Sequence, residues 1–359
     1  MLIISGIAAN DWWKLLRQNN FRIDPPYWHK AILLTIRSFF NSKYRQQENK
    51  IYGSKIQDTP IEKPPIFILG HWRSGTTLLH NLLALDKQFC FPNLFQVYNP
   101  HAFLLLESII GNRLAEVKPQ KRLTDNMEVS FAHPADDEFA LAILSLRSPL
   151  LNWSFPRRMQ FYDRFLTFRD VPGKEIDQWK VAFLLFSKKL TYRYHRQIIF
   201  KSPAHTCRIK LLLEMFPDAR FIHIHRNPYT VFLSTRKLYE TAIPGSYLQK
   251  PNQKIITEGI FKRYAEMSDA FFEEKKLIPQ GHYAEICFEE FESDLMGTLR
   301  QLYNSLSLDG FPALKPVFQT YTDSISNYKK NEHPILDVSQ RTQIADRWRR
   351  SFKEWGYEV

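Results

Sequence analysis

Glycine and cysteine are both scarce in this sequence, with 12 and 3 among 359 residues. So little glycine excludes collagen-like and glycine-linker architectures, and it makes any local pair of glycines informative. Cys90, Cys207 and Cys287 lie too far apart for a CxxC zinc site, and their odd number excludes a fully paired disulfide framework. Such cysteine usage points to a reducing, cytoplasmic setting. The N-terminal segment lacks a basic start followed by a clean apolar run, so no secretory leader is expected. The longest uncharged stretch, Gln88 to Leu106, contains Pro92, Pro100, Asn93 and Asn99 and makes a poor membrane span. Acid is short relative to base, 37 Asp+Glu against 49 Lys+Arg, for a formal charge of +12. That excess suits nucleic acid, an anionic membrane surface or a polyanionic small molecule. No nucleic-acid-binding motif accompanies it, so no nucleic acid partner is expected.

What is present is ample core material. Hydrophobic residues make up 44% and aromatics 14%, which excludes disorder as a description of the whole chain. Residues 1–60 read as a helical layer packed on a main domain that spans 61–359. Within that layer, residues 29–45 combine apolar residues with His29, Lys30, Arg37, Lys43 and Arg45. A basic amphipathic helix of this kind either packs on the main domain or lies on a membrane surface, giving a peripheral contact. Short, apolar, β-branched-rich runs at 66–69, 197–200 and 220–225, with a fourth at 283–288, read as strands buried on both faces. Helical patterns at 76–86, 205–216, 228–240, 258–277 and 294–307 alternate with them, which predicts an α/β fold with a P-loop-like parallel sheet flanked by helices. Residues from about 90 to 195 are expected to form a mainly helical cap. The C-terminal Lys329, Lys330, Arg341, Arg347, Arg349 and Arg350 read as a solvated basic tail.

Two of the twelve glycines frame one loop. A buried strand, 66–69, runs into Gly70-His71-Trp72-Arg73-Ser74-Gly75 and then into an apolar helix opened by Thr76 and Thr77. The Gly-x4-Gly spacing is that of a phosphate loop, in which backbone N–H groups and the helix N-terminus cradle an anion. Thr76 stands where a nucleotide triphosphatase needs Lys, the cation is moved to Arg73, and no strand ends in an Asp suited to magnesium. A P-loop small-molecule kinase is therefore the weaker alternative. A second strand, 221–225, ends in Arg226-Asn227-Pro228, and Ser234 follows on the next helix. Ligand crevices of open α/β sheets lie at the C-terminal ends of strands, so both motifs face the same crevice.

Arg73-Ser74-Gly75-Thr76-Thr77 after an apolar strand resembles the 5′-phosphosulfate loop of the sulfotransferases that use 3′-phosphoadenosine-5′-phosphosulfate (PAPS). Arg226 and Ser234 resemble the same family's 3′-phosphate site. Lys201-Ser202-Pro203-Ala204-His205, Phe216 to Arg220 and Phe288-Glu289-Glu290-Phe291 follow in the order of that family's larger branch. The resemblance covers roughly residues 60–310. It implies PAPS as sulfuryl donor, no metal, and donor binding by Arg73, Ser74, Gly75, Thr76, Thr77, Arg226 and Ser234.

In-line sulfuryl transfer needs positive charge at the leaving phosphate and a base for the acceptor proton. Arg73 meets the first need, and Lys201, just past a buried strand, is placed to contact the transferring group. For the base, His133-Pro134-Ala135-Asp136-Asp137-Glu138-Phe139 resembles the acidic segment of the larger branch, which nominates Glu138 first and Asp137 second. His205 is the competing candidate, as base or as a group that polarises the acceptor. His133 is a further candidate, whereas His71 and His80 read as structural. The N-terminal layer, residues 88–110 and the cap are rich in Phe, Leu, Trp and Tyr. A hydroxylated acceptor that is lipophilic or aromatic is expected, and a carbohydrate stays open.

Overall fold

The computed structural model describes residues 2–115, 119–121, 128–325 and 334–359. Its strands are β1 (Ile66–Leu69), β2 (Phe89–Cys90), β3 (Gln120–Lys121), β4 (Glu128–Val129), β5 (Gln197–Lys201), β6 (Arg220–His225) and β7 (Tyr283–Cys287). Five of them form one parallel sheet in the order β2-β5-β1-β6-β7, and β3 pairs with β4 in a separate antiparallel ribbon. In the central strand β1, alternate residues feed two different cores. Phe67 and Leu69 join Phe200 and Phe221 on one face, while Ile66 and Ile68 join Ile199, Ile222 and Ile224 on the other. This period of two, apolar on both sides, is why the strand run carries no polar residue.

The helices are α1 (Ala9–Gln18), α2 (Trp28–Gln57), α3 (Thr76–Leu83), α4 (Leu94–Tyr98), α5 (Phe103–Ala115), α6 (Glu138–Ser145), α7 (Met159–Asp163), α8 (Gly173–Tyr194), α9 (Ile209–Met215), α10 (Pro228–Thr241), α11 (Gln253–Glu274), α12 (Phe288–Ser293), α13 (Leu295–Ser305), α14 (Phe311–Ser324), α15 (Val338–Arg347) and α16 (Arg349–Trp355). Ile3, Ile4, Trp12, Leu15 and Leu34 from the N-terminal helices belong to the same apolar core as Phe67 and Phe200. No helix among the described residues is long and apolar enough to cross a membrane.

Two expectations need correction. The helix expected over 205–216 is split into a 3-10 turn at Pro203–Cys207 and α9. Ser202 caps the turn by accepting the Ala204 N–H, and Arg208 leaves helical geometry at φ −133°. The expected solvated tail is folded instead. Ile344 of α15, Trp348 between the two helices and Phe352 of α16 are buried against Phe232, Phe261 and Tyr264, with Trp348 stacked on Tyr264 at a centroid distance of 3.7 Å. Arg347, Arg349 and Arg350 pair with Glu258, Asp346 and Asp269. Lys329 and Lys330 lie outside the described residues.

Candidate functional site

The loop after β1 is held in a conformation that glycine permits at both ends. Gly70 has φ +142°, and its N–H donates to Thr206 Oγ1 at 2.8 Å. A Cβ there would stand 2.5 Å from the Ile224 carbonyl oxygen, so the loop can hug the neighbouring strand only because Gly70 has none. Gly75 has φ +99° and caps α3, where a Cβ would sit 2.2 Å from the Phe288 ring. Between them Arg73 takes φ +74°, a left-handed conformation that costs an L-residue of order 1–3 kcal/mol and persists where the surroundings hold it. Ser74 is buried and donates its hydroxyl to the His71 carbonyl at 2.8 Å. Thr76 and Thr77 then open α3, whose first N–H groups have no partner within the helix and carry its positive pole.

The second motif converges on the first. Asn227 caps α10 by accepting the N–H groups of Tyr229 and Thr230. Ser234 stands two turns along that helix, and Arg73 Nε donates to its Oγ at 2.9 Å. Arg226 Nη1 donates to the Arg73 carbonyl at 3.4 Å, and its guanidinium lies 4.2 Å from the centre of the Phe288 ring. Arg73, Arg226 and Ser234, 161 residues apart at the extreme, therefore form one cluster at the α3 N-terminus. Two guanidiniums and a helix pole at one place can hold a polyanion.

A second set of charges gathers at the end of β5. Lys201 pairs with Asp136, and the Asp137 N–H donates to the Lys201 carbonyl at 3.3 Å, which stitches the acidic segment to the strand. His205 Nε2 lies 2.7 Å from Asp137 Oδ2, with both side chains fully buried. The His205 ring stacks on Phe183 and meets Phe67 edge-on. Glu138 is gripped on both oxygens by Arg208, at 2.8 and 3.2 Å, and both residues are buried. Arg208 also donates to the Phe165 and Leu166 carbonyls. Of the three acids, Asp136 is the one with solvent access, its side chain 20% exposed. Asp136 and Arg208 were not singled out from sequence. The signals were local: Asp136 belongs to the acidic triplet already noted but precedes the helix that opens at Glu138, and Arg208 follows His205 by three residues.

Beside the loop lies an aromatic cleft lined by His71, Trp72, Leu150, Trp153, Tyr239 and Arg263. Burial pushes His71 down to about 4, helped by the Arg263 charge and opposed by its hydrogen bond with the Trp72 carbonyl. His71 is therefore neutral at pH 7. His80 is fully buried, and burial and the Lys201 charge hold it well below its ordinary value. His133 Nδ1 accepts the Ser130 N–H at 2.9 Å. Among the described residues no group of His, Cys, Asp and Glu could hold a metal ion.

Comparison with known proteins adds three findings. A family model described as the sulfotransferase family matches residues 64–313. Two curated relatives, from Mycobacterium bovis and Mycobacterium tuberculosis, are each 34% identical over 353 residues, covering 98% of this chain and 90% of the relative. Both carry the name omega-hydroxy-beta-dihydromenaquinone-9 sulfotransferase. Solved sulfotransferases from M. tuberculosis and Mycobacterium avium superpose with TM-scores of 0.62 and 0.61 at 16% identity, the first covering 95% of this chain and 91% of its own, the second 98% and 97%. At that identity the likeness is one of fold.

Proposed function

Because the chain belongs to the sulfotransferase family, we propose that it moves a sulfuryl group from PAPS to the hydroxyl of a long lipophilic acceptor. One observation carries this reading: Arg73, Arg226 and Ser234 meet at the N-terminus of α3. In this reading Arg73 and the backbone of Ser74 to Thr77 hold the 5′-phosphate, and Arg226 with Ser234 holds the 3′-phosphate. The acceptor oxygen attacks sulfur in line, the bond from sulfur to the 5′-phosphate oxygen breaks, and its electron pair leaves with the bisphosphate. Arg73 and the helix pole stabilise the charge that builds there. Lys201 faces the transferring oxygens, and no metal takes part.

The acceptor's proton goes to the acidic segment. Glu138, with both oxygens engaged by Arg208, and Asp137, engaged by His205, serve to fix that segment. Asp136, partly exposed, becomes the base once Lys201 turns to the sulfuryl group. Glu138→Gln and Asp136→Asn separate the two assignments: the base variant loses turnover while keeping affinity for the bisphosphate product.

The relatives' name describes a hydroxyl on a long isoprenoid quinone. That name, at 34% identity over nearly the whole chain, supports a hydroxylated lipid over a sugar. The test is incubation with PAPS and an ω-hydroxylated menaquinol in detergent, followed by mass spectrometry. The expected product is the sulfate ester. Phosphate transfer from ATP with magnesium, and none from PAPS, would overturn the reading in favour of a kinase.

A further inference from the structure

The helix α2 turns a large apolar stripe outward. Ile32, Leu33, Ile36, Phe39 and Phe40 are each 44–61% exposed, and their spacing places them along one face. The inward side is mixed: Leu34 and Ile56 are buried beside Ser38 and Glu48, Thr35 accepts the Trp12 indole N–H, and Asn41 donates to the Ser5 and Ile7 carbonyls. An ordinary surface helix turns its apolar stripe inward, and soluble monomers seldom keep such a stripe in water.

Charge identifies the occupant. Residues 1–57 contain nine Lys and Arg against three Asp and Glu, a formal +6 and half the charge of the chain. Each acid is already paired, Asp11 with Lys14 and Arg45, Asp24 with Arg157, and Glu48 with Lys189. Arg37 and Lys43, both exposed, flank the apolar stripe on the same helix. A second copy of the chain would set +6 against +6. An anionic bilayer satisfies the stripe and its basic flank together.

We propose that α2 seats the protein on an anionic lipid surface, with Ile36, Phe39 and Phe40 at the acyl boundary and Arg37 and Lys43 among the headgroups. This goes beyond the acceptor reading and does not rest on it. The test is flotation of the full chain with phosphatidylcholine vesicles made with and without phosphatidylglycerol. The wild type is expected to partition roughly tenfold better onto the anionic vesicles, and the combined Ile36→Glu, Phe39→Glu and Phe40→Glu variant to lose that gain. Product affinity and the unfolding midpoint stay unchanged in the variant, because all three residues point into solvent. Equal flotation of wild type and variant would overturn the proposal. So would a wild type that ignores anionic vesicles, including one that forms a dimer which the variant dissociates.

Discussion

Two groups of charged residues sit at the same edge of the sheet and are treated in opposite ways. At the α3 N-terminus, Arg73 donates to the Ser234 hydroxyl, and Arg226 donates to the Arg73 carbonyl and lies over the Phe288 ring. At the end of β5, three acids meet three bases one to one: Asp136 with Lys201, Asp137 with His205 and Glu138 with Arg208. Hydroxyl, carbonyl and ring contacts aim a side chain, whereas a buried ion pair fixes geometry by neutralising both of its members. Glu138 and Arg208 are such a pair, buried and joined through both carboxylate oxygens.

The sharpest way to break the contrast is to unpair Glu138 and Arg208. Arg208→Met leaves a buried carboxylate without its counter-charge and is expected to cost about 3–5 kcal/mol in denaturant unfolding. Adding Glu138→Gln should recover much of the loss, and a single variant as stable as wild type would show that the pair anchors nothing. The arginine cluster should respond in binding instead. Arg73→Ala and Arg226→Ala are each expected to weaken the bisphosphate product tenfold or more by calorimetry, about 1.4 kcal/mol, with little change in unfolding. Unchanged affinity in both would remove the donor assignment. The smallest effect concerns pH. His71 in the folded loop sits at about 4, below its ordinary 6.5, so the unfolded chain binds more protons between those values. Its contribution is complete above pH 6.5 and is lost as pH falls toward 4. His71→Gln should flatten the acid side of the stability curve by less than about 1.4 kcal/mol per pH unit.

The sheet and the arginine cluster were readable because their signals are local. The runs at 66–69, 197–200 and 220–225 name their own strands, and each half of the arginine cluster is a short motif beside a strand end. β2 escaped notice because two residues, Phe89 and Cys90, give no periodicity to read. The pairing of Glu138 with Arg208 escaped because 70 residues separate the partners, and only the break after the 3-10 turn brings Arg208 inward. The C-terminal helices escaped because Arg347, Arg349 and Arg350 dominate the pattern. The three residues that bury the segment, Ile344, Trp348 and Phe352, are spaced four apart between them.

One phenyl ring supports both halves of the arginine cluster. Phe288 fills the place that a side chain on residue 75 would need, and its face carries the Arg226 guanidinium. Residue 75 of the loop and the guanidinium that follows β6 thus rest on one aromatic ring from the start of α12, while the Arg73 carbonyl meets the same guanidinium directly. The ring acts as a shared brace: trimming the side chain at 288 would loosen the turn at residue 75 and the Arg226 guanidinium together.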